Sequence, residues 1–110
     1  MKNREFADKL TIDNGRQSLN LDILSADLDR SYSAFEFESK SSRNIDGYSI
    51  MVNTDNLEKD ALRNLEEIVN AVNQMFNVTL NLNGEQKQGK AKISENLCLS
   101  GICLDLELHD

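Results

Sequence analysis

The chain has 110 residues, 39% hydrophobic and 28% charged, which is the composition of one ordinary globular domain and leaves no room for a second. Nineteen acidic against twelve basic side chains give a formal net charge of −7, which disfavours nucleic acid or an anionic membrane as a partner and favours a basic protein. No apolar stretch suits a membrane span and the first residues lack the apolar region of a signal peptide, so we expect a single cytoplasmic domain over residues 1–110 with both cysteines reduced.

Three segments before residue 55 alternate apolar with polar residues, which is typical of strands with one buried face: residues 10–12, 19–23 and 35–38. The apolar segment over residues 48–52 predicts a fourth strand. The dipeptide Asn14-Gly15 between the first two predicts a two-residue hairpin turn, which would place Leu10 opposite Leu19. The acidic segment over residues 25–31 is too polar for the core of a strand. We expect it to form a loop.

Residues 55–76 predict the only helix. Their apolar residues recur in steps of one, three and four and therefore share one face: Leu57, Ala61, Leu62, Leu65, Ile68, Val69, Val72 and Phe76. Asp55 and Glu58 have the spacing of a capping box at the start of this helix. Asn77 is expected to end it, because asparagine tolerates a left-handed backbone.

Three further segments after the helix have strand character: residues 78–82, 91–99 and 102–108. Their apolar residues are odd-numbered up to Leu99 and even-numbered from Ile102, which predicts a tight turn at Ser100-Gly101. Such a turn pairs Ile93 with Leu108. A single bulged strand is the alternative.

The order is thus four strands, one helix and three strands, which predicts an α+β fold. We expect one antiparallel sheet of about seven strands, twisted or curled, with the helix over residues 55–76 on its apolar face and the other face wet. The strands over residues 10–12 and 78–82 carry no proline, so either is expected to be able to pair with another copy at a sheet edge.

The residues that carry chemistry are few. His109 is the only histidine and stands next to the C-terminal residue, where we expect an exposed and frayed side chain. The predicted turn sets Cys98 opposite Cys103, as two small surface residues or, less commonly, a redox pair, and their spacing does not suit zinc. We therefore predict no enzyme, and no catalytic, cofactor-binding or metal-binding residue.

The distribution of charge is the remaining functional signal. If Phe35 and Phe37 face the helix, alternation sends the carboxylates between the apolar residues to the exposed face, with Lys90 and Lys92 partly offsetting their charge. Such a face would attract a basic partner and hydrogen-bond its arginines and lysines. The predicted partner-binding residues are Asp22, Asp27, Asp29, Glu36, Glu38, Asp105 and Glu107. A merely solvated face is the alternative.

The helix NLEKDALRNLEEIVNAVNQ, the strand NVTLNLN and the C-terminal NLCLSGICLDLELHD together resemble small immunity proteins of bacterial contact-dependent and polymorphic toxin systems, particularly those paired with wall-associated toxins. In that family a strand with a central apolar triplet leads into one amphipathic helix, and the chain closes with a hairpin of the form Gly, x, apolar, x, apolar. Residues 101–106 fill this last element. The resemblance implies stoichiometric neutralisation of a toxin, and it transfers no individual binding residue.

Three functions fit these observations. The first is a non-catalytic immunity protein, a monomer or weak dimer, that neutralises a basic toxin such as a nuclease by direct binding. The second is a phage or mobile-element inhibitor of a host nucleic-acid enzyme, whose carboxylates stand where phosphates would bind. The third is a structural subunit of a larger assembly, joined through strand edges.

Overall fold

Six antiparallel strands and one helix make up the part of the chain that the computed structural model describes, which is residues 8–55, 57–71, 73–96 and 102–109. In chain order the elements are β1 (Lys9–Asp13), β2 (Ser18–Glu36), β3 (Ser41–Asn53), α1 (Lys59–Asn70), β4 (Phe76–Leu82), β5 (Glu85–Asn96) and β6 (Ile102–His109). The α+β class, the antiparallel pairing and the single helix in this part of the chain agree with the sequence. The strand number does not, because three strands precede the helix instead of four.

The strands form a closed barrel in the order β1-β2-β3-β6-β5-β4, with β1 pairing back onto β4. Leu10 lies between Leu21 of β2 and Leu80 of β4, and all three side chains are fully buried. The structural-subunit hypothesis has the strands over residues 10–12 and 78–82 pair with another copy at a sheet edge, but in the barrel these two strands pair with each other. Because β1 pairs with β4, the sheet closes into a barrel with its apolar face inside, and neither of these two strands is left as an edge.

The barrel interior is filled by aliphatic side chains from all six strands, and α1 closes one end of it. Leu65 and Ile68 of α1 are buried in the same core. Asn64 beside them is 5% exposed, and its Oδ1 accepts a hydrogen bond from Asn14 Nδ2 at 3.3 Å. This bond ties the helix to the turn between β1 and β2, and it satisfies a polar group that would otherwise be costly to bury.

The helix is shorter than expected, and neither predicted cap forms. Glu58 occupies the N-cap without a side-chain hydrogen bond, while the Asp55 N–H donates to Asn53 Oδ1 at 3.0 Å. The left-handed asparagine after the helix is Asn73, with φ of 64°, and Asn77 lies inside β4. Phe76, which fits the helical stripe, begins β4 and is buried opposite Ala91. Pairing with β5 therefore prevails over helical periodicity at this boundary.

The turn between β1 and β2 holds four residues, where two were expected. Asn14 Oδ1 accepts hydrogen bonds from the N–H groups of Arg16 and Gln17, both at 3.0 Å, and Gly15 has a φ of 93°. The side chain of Asn14 thus organises the loop as an Asx turn. Strand pairing shifts by two residues, so that Leu10 faces Leu21 and not Leu19. A shift of two keeps each side chain on its expected face.

A similar two-residue shift occurs between β5 and β6. Ile93 lies opposite Leu106, not Leu108, and Cys103 lies opposite Asn96. The predicted turn at Ser100-Gly101 and Cys98 fall outside the described residues. Cys103 is disulfide-bonded, which contradicts the expectation of a free thiol.

The two predicted strands at residues 19–23 and 35–38 belong largely to one strand, β2, which also includes the predicted loop over residues 25–31. Register shifts at Leu24 and Asp29 mark two β-bulges that bend this strand. We call residues 24–44 the arm. Within it β2 pairs only with β3 among the described residues, and the arm extends from a molecule measuring 51 × 31 × 28 Å.

Phe35 and Phe37 lie on the arm and not under the helix, which corrects the expectation that they face the core. They are 55% and 84% exposed. Their rings pack edge to face with centroids 5.1 Å apart. The alternation of apolar and polar residues here reflects pairing of β2 with β3, but the barrel does not extend far enough to bury the two rings.

Candidate protein-binding surface

The outer face of β2, β3, β6 and β5 carries a cross-strand row of polar residues. Asp27 lies opposite Ser49, Ser49 opposite Asp105, and Asp105 opposite Ser94. Tyr48 and Ile50 on either side of Ser49 point into the barrel, so the whole row faces outward. Neighbouring strands lie about 4.8 Å apart, which spaces Asp27 and Asp105 roughly two strands from one another.

Two side-chain hydrogen bonds orient the carboxylates of this row. The Ser49 hydroxyl donates to Asp29, the bulged residue beside Asp27, and Asn96 Nδ2 donates to Asp105 Oδ1 at 3.2 Å. Each carboxylate has lone pairs left over, because one bond satisfies only part of its capacity. Asp27, Asp29 and Asp105 are all exposed, so they remain accessible to a partner.

The adjacent row carries mixed charge. Glu107 lies opposite Gly47 on β3 and Lys92 on β5, and Arg30 of β2 lies opposite Gly47 on the other side. We define the acidic surface as Asp27, Asp29, Asp105 and Glu107. Three of them, Asp29, Asp105 and Glu107, line a cleft of about 700 Å³ together with Arg30, Ser49 and Lys92. The acidic surface is therefore bordered on one side by two cations.

The structure brings together four of the seven carboxylates that the sequence proposed for partner binding, namely the acidic surface. The other three lie elsewhere. Asp22 forms an ion pair with Lys9 Nζ at 2.8 Å, at the first residue of β1. Glu36 ends β2 opposite Ser41, and Glu38 lies in the turn at the tip of the arm.

His109 is better ordered than its position in the sequence suggested. It lies in β6, paired with Ile45 of β3 and Lys90 of β5, and its side chain is 14% exposed. Its Nε2 is 3.0 Å from Glu107 Oε1. Strands on both sides hold it, so the expectation of a frayed and exposed histidine is wrong. No group of three metal-ligating side chains occurs within the described ranges.

The arm adds apolar surface that the sequence analysis missed. Every large hydrophobic side chain that is exposed in the described residues lies there: Leu24, Leu28, Tyr32, Phe35 and Phe37. Exposed apolar side chains concentrated on one element mark an interaction site more often than scattered ones do. The available signal was the spacing of Leu24, Leu28 and Tyr32 at every fourth residue of an otherwise polar segment.

A second polar cluster is formed by side chains of β2, β3 and β5. Lys87 Nζ donates to the hydroxyl of the buried Tyr48 at 2.9 Å and lies 3.8 Å from Asp46 Oδ2. The hydrogen bond with Tyr48 and the neighbouring carboxylates raise the pKa of Lys87 above its ordinary 10.5. Asp46 also accepts a hydrogen bond from the Ser31 hydroxyl at 2.6 Å. The cluster therefore links the arm to the barrel.

The fold and surface define a small six-stranded antiparallel barrel with one helix, an acidic outer surface and a projecting arm. Comparison with protein-family models, with curated proteins and with solved structures finds no match. Among the described residues, no helix has the length and apolar character to cross a membrane.

Proposed function

We propose that this protein is a non-catalytic binding protein that neutralises a basic toxin, for example a nuclease, by direct contact with the acidic surface. The observation that carries the proposal is the convergence of Asp27, Asp29 and Asp105 on the outer face of one sheet, the face that also carries the exposed Tyr32 of the arm. The resemblance of the C-terminal half to immunity proteins of toxin systems points in the same direction.

The two parts of this surface would contribute differently to binding. Exposed carboxylates raise the association rate of a basic protein and accept charge-assisted hydrogen bonds from its arginines and lysines. Tyr32, which lies opposite Ile45 on the same outer face, would supply apolar area at the desolvated centre that holds the complex together. A basic partner that contacts both the carboxylates and the apolar part of the arm would first be attracted by charge and would then bury apolar area in the final complex.

The proposal is tested by co-expression with the protein encoded immediately upstream of this chain's gene. That upstream protein should arrest growth when expressed alone, and co-expression with the wild-type chain should restore growth. The double variant D27K/D105K should associate at least tenfold more slowly at low salt, with a smaller difference at high salt, because rim charges act over about 8 Å at physiological ionic strength. Association rates are measured by surface plasmon resonance.

The matched control is E66K/E67K, which changes the net charge by the same amount on exposed positions of α1. This control should bind and protect like the wild type. If D27K/D105K and E66K/E67K behave alike, the acidic surface is only solvated. If the upstream protein neither arrests growth nor binds the chain, the proposed function is wrong.

A further inference from the structure

Part of β2 has one edge that no strand among the described residues covers. β1 pairs with β2 only from Ser18 to Asp22, and the Ile23 N–H donates to the Asp8 carbonyl at 3.0 Å. From Leu24 onward, no strand among the described residues pairs with the second edge of β2. Unpaired N–H and C=O groups in such a row invite the addition of another strand.

Only part of this edge is regular enough to accept one. Bulges at Leu24 and Asp29 interrupt the first half, whereas pairing from Arg30 opposite Gly47 to Glu36 opposite Ser41 is unbroken. Bulges and charges protect natural edge strands, and proline does so too. Between Arg30 and Glu36 there is no bulge, no charge and no proline. This segment, Arg30 to Glu36, is called the edge segment.

We propose that the edge segment pairs antiparallel with the same segment of a second copy of this chain, about a two-fold axis at Ser33. In this register Arg30 of each copy lies opposite Glu36 of the other, Ser31 opposite Phe35, and Tyr32 opposite Ala34. Members of every pair are an even number of residues apart, so both face the same side of the sheet and present backbone groups in the same direction.

The sequence of the edge segment is complementary to itself in this register. Opposite charges meet at both ends, because a basic residue begins the segment and an acidic residue ends it. Each large side chain meets a small one, Tyr32 against Ala34 and Phe35 against Ser31. Tyr32 and Phe35 are 44% and 55% exposed in the single chain and would be partly covered by the neighbouring copy. With the two-fold axis at any residue other than Ser33, part of the edge segment would have no partner residue in the other copy's edge segment.

Such a dimer would join two β2–β3 hairpins into one continuous sheet. A two-fold axis perpendicular to that sheet keeps the outer faces of both copies on the same side. Two acidic surfaces would then lie side by side, although the pairing itself does not depend on the proposed function. The contact is small beside the roughly 1,600 Å² of a standard interface, so we expect a dissociation constant on the order of tens of micromolar.

Sedimentation equilibrium from about 1 µM to about 1 mM tests the pairing, with wild-type chain, R30E, E36R and an equimolar mixture of the two variants. The wild type should dimerise, and each variant alone should lose at least tenfold in affinity, because like charges then meet at both ends. The mixture should recover wild-type affinity, since each contact again joins a glutamate to an arginine. Recovery also shows that both variants are folded.

Charge-matched controls are R63E and E66R on exposed positions of α1, which should dimerise like the wild type. A wild-type chain that stays monomeric throughout this range overturns the proposal. So does a mixture of R30E and E36R that associates no better than either variant alone. Equal affinity of R30E, E36R and wild type would place any dimer contact on another surface and would equally overturn it.

Discussion

Leu10 of β1 lies directly opposite Leu80 of β4, and both side chains are fully buried. This pair lies at the seam where the barrel closes, between a strand that precedes the helix and a strand that follows it. Truncation of either leucine would leave a cavity in the barrel interior. The seam is therefore where loss of a side chain should test the closed fold most directly.

Leu80→Ala should lower the free energy of unfolding by about 2–5 kcal/mol, the cost of removing a buried leucine from a packed core. The neighbouring Thr79→Ala, at a half-buried position opposite Thr11, should cost less than about 1 kcal/mol. Urea denaturation followed by circular dichroism measures both. Equal costs for the two variants would mean that β4 does not bury alternate residues against β1.

Lys87 should make stability depend on alkaline pH. Its pKa in the folded state is raised above 10.5, chiefly by the hydrogen bond with Tyr48. The stabilisation is therefore fully present below 10.5 and is lost as pH rises through the higher folded-state pKa. Because the side chain is 44% exposed, solvent screening keeps the effect below about 1 kcal/mol.

The measurement for Lys87 is the urea midpoint at about pH 7 and about pH 11. Wild type should lose more stability between these values than Lys87→Met. Lys92→Met, a substitution on the outer face of the same strand, should behave like wild type. An identical loss in wild type and Lys87→Met would contradict a role for the Lys87–Tyr48 contact.

Phe35 and Phe37 should be dispensable for the stability of the single chain. The double variant F35S/F37S removes an edge-to-face contact worth about 0.5–1.5 kcal/mol and little buried surface. Phe76→Ala, in which the ring is 4% exposed, should cost about 3–5 kcal/mol. Thermal unfolding at low protein concentration compares the two. If F35S/F37S loses more thermal stability than Phe76→Ala, the rings of Phe35 and Phe37 must be buried in the core.

The sequence predicted which residues face inward far better than it predicted which residues pair. Both hairpin registers differ from expectation by two residues, at Leu10 and at Ile93, yet Leu21 and Leu106 lie inside as expected. Side-chain alternation has a period of two, so a shift of two is invisible to it. Turn length decides the register, and in the first hairpin it depends on hydrogen bonds to the side chain of Asn14.

Long-range packing explains the larger errors. Nothing in Phe35-Glu36-Phe37-Glu38 shows locally that β2 runs beyond the barrel wall, since exposure depends on where the other strands end. Phe76 likewise fits a helical stripe and a strand equally well until β5 is available as a partner. All four carboxylates of the acidic surface were among the seven predicted from the sequence, and Asp105 and Glu107 follow from alternation alone. Glu38 lies apart from them because β2 runs on beyond the barrel to the turn that holds it.

Pairing of β1 with β4 also has a consequence for the order in which the chain folds. Leu10 and Leu80 are distant in sequence, whereas β2 and β3 are joined by a short turn. Closing such a long loop costs entropy that nearby hairpins do not, so the β1–β4 ladder should form after the rate-limiting step. Leu10→Ala should then accelerate unfolding and leave the refolding rate nearly unchanged, with a φ-value below about 0.3 in stopped-flow chevrons. A φ-value near one would instead make barrel closure the nucleating event.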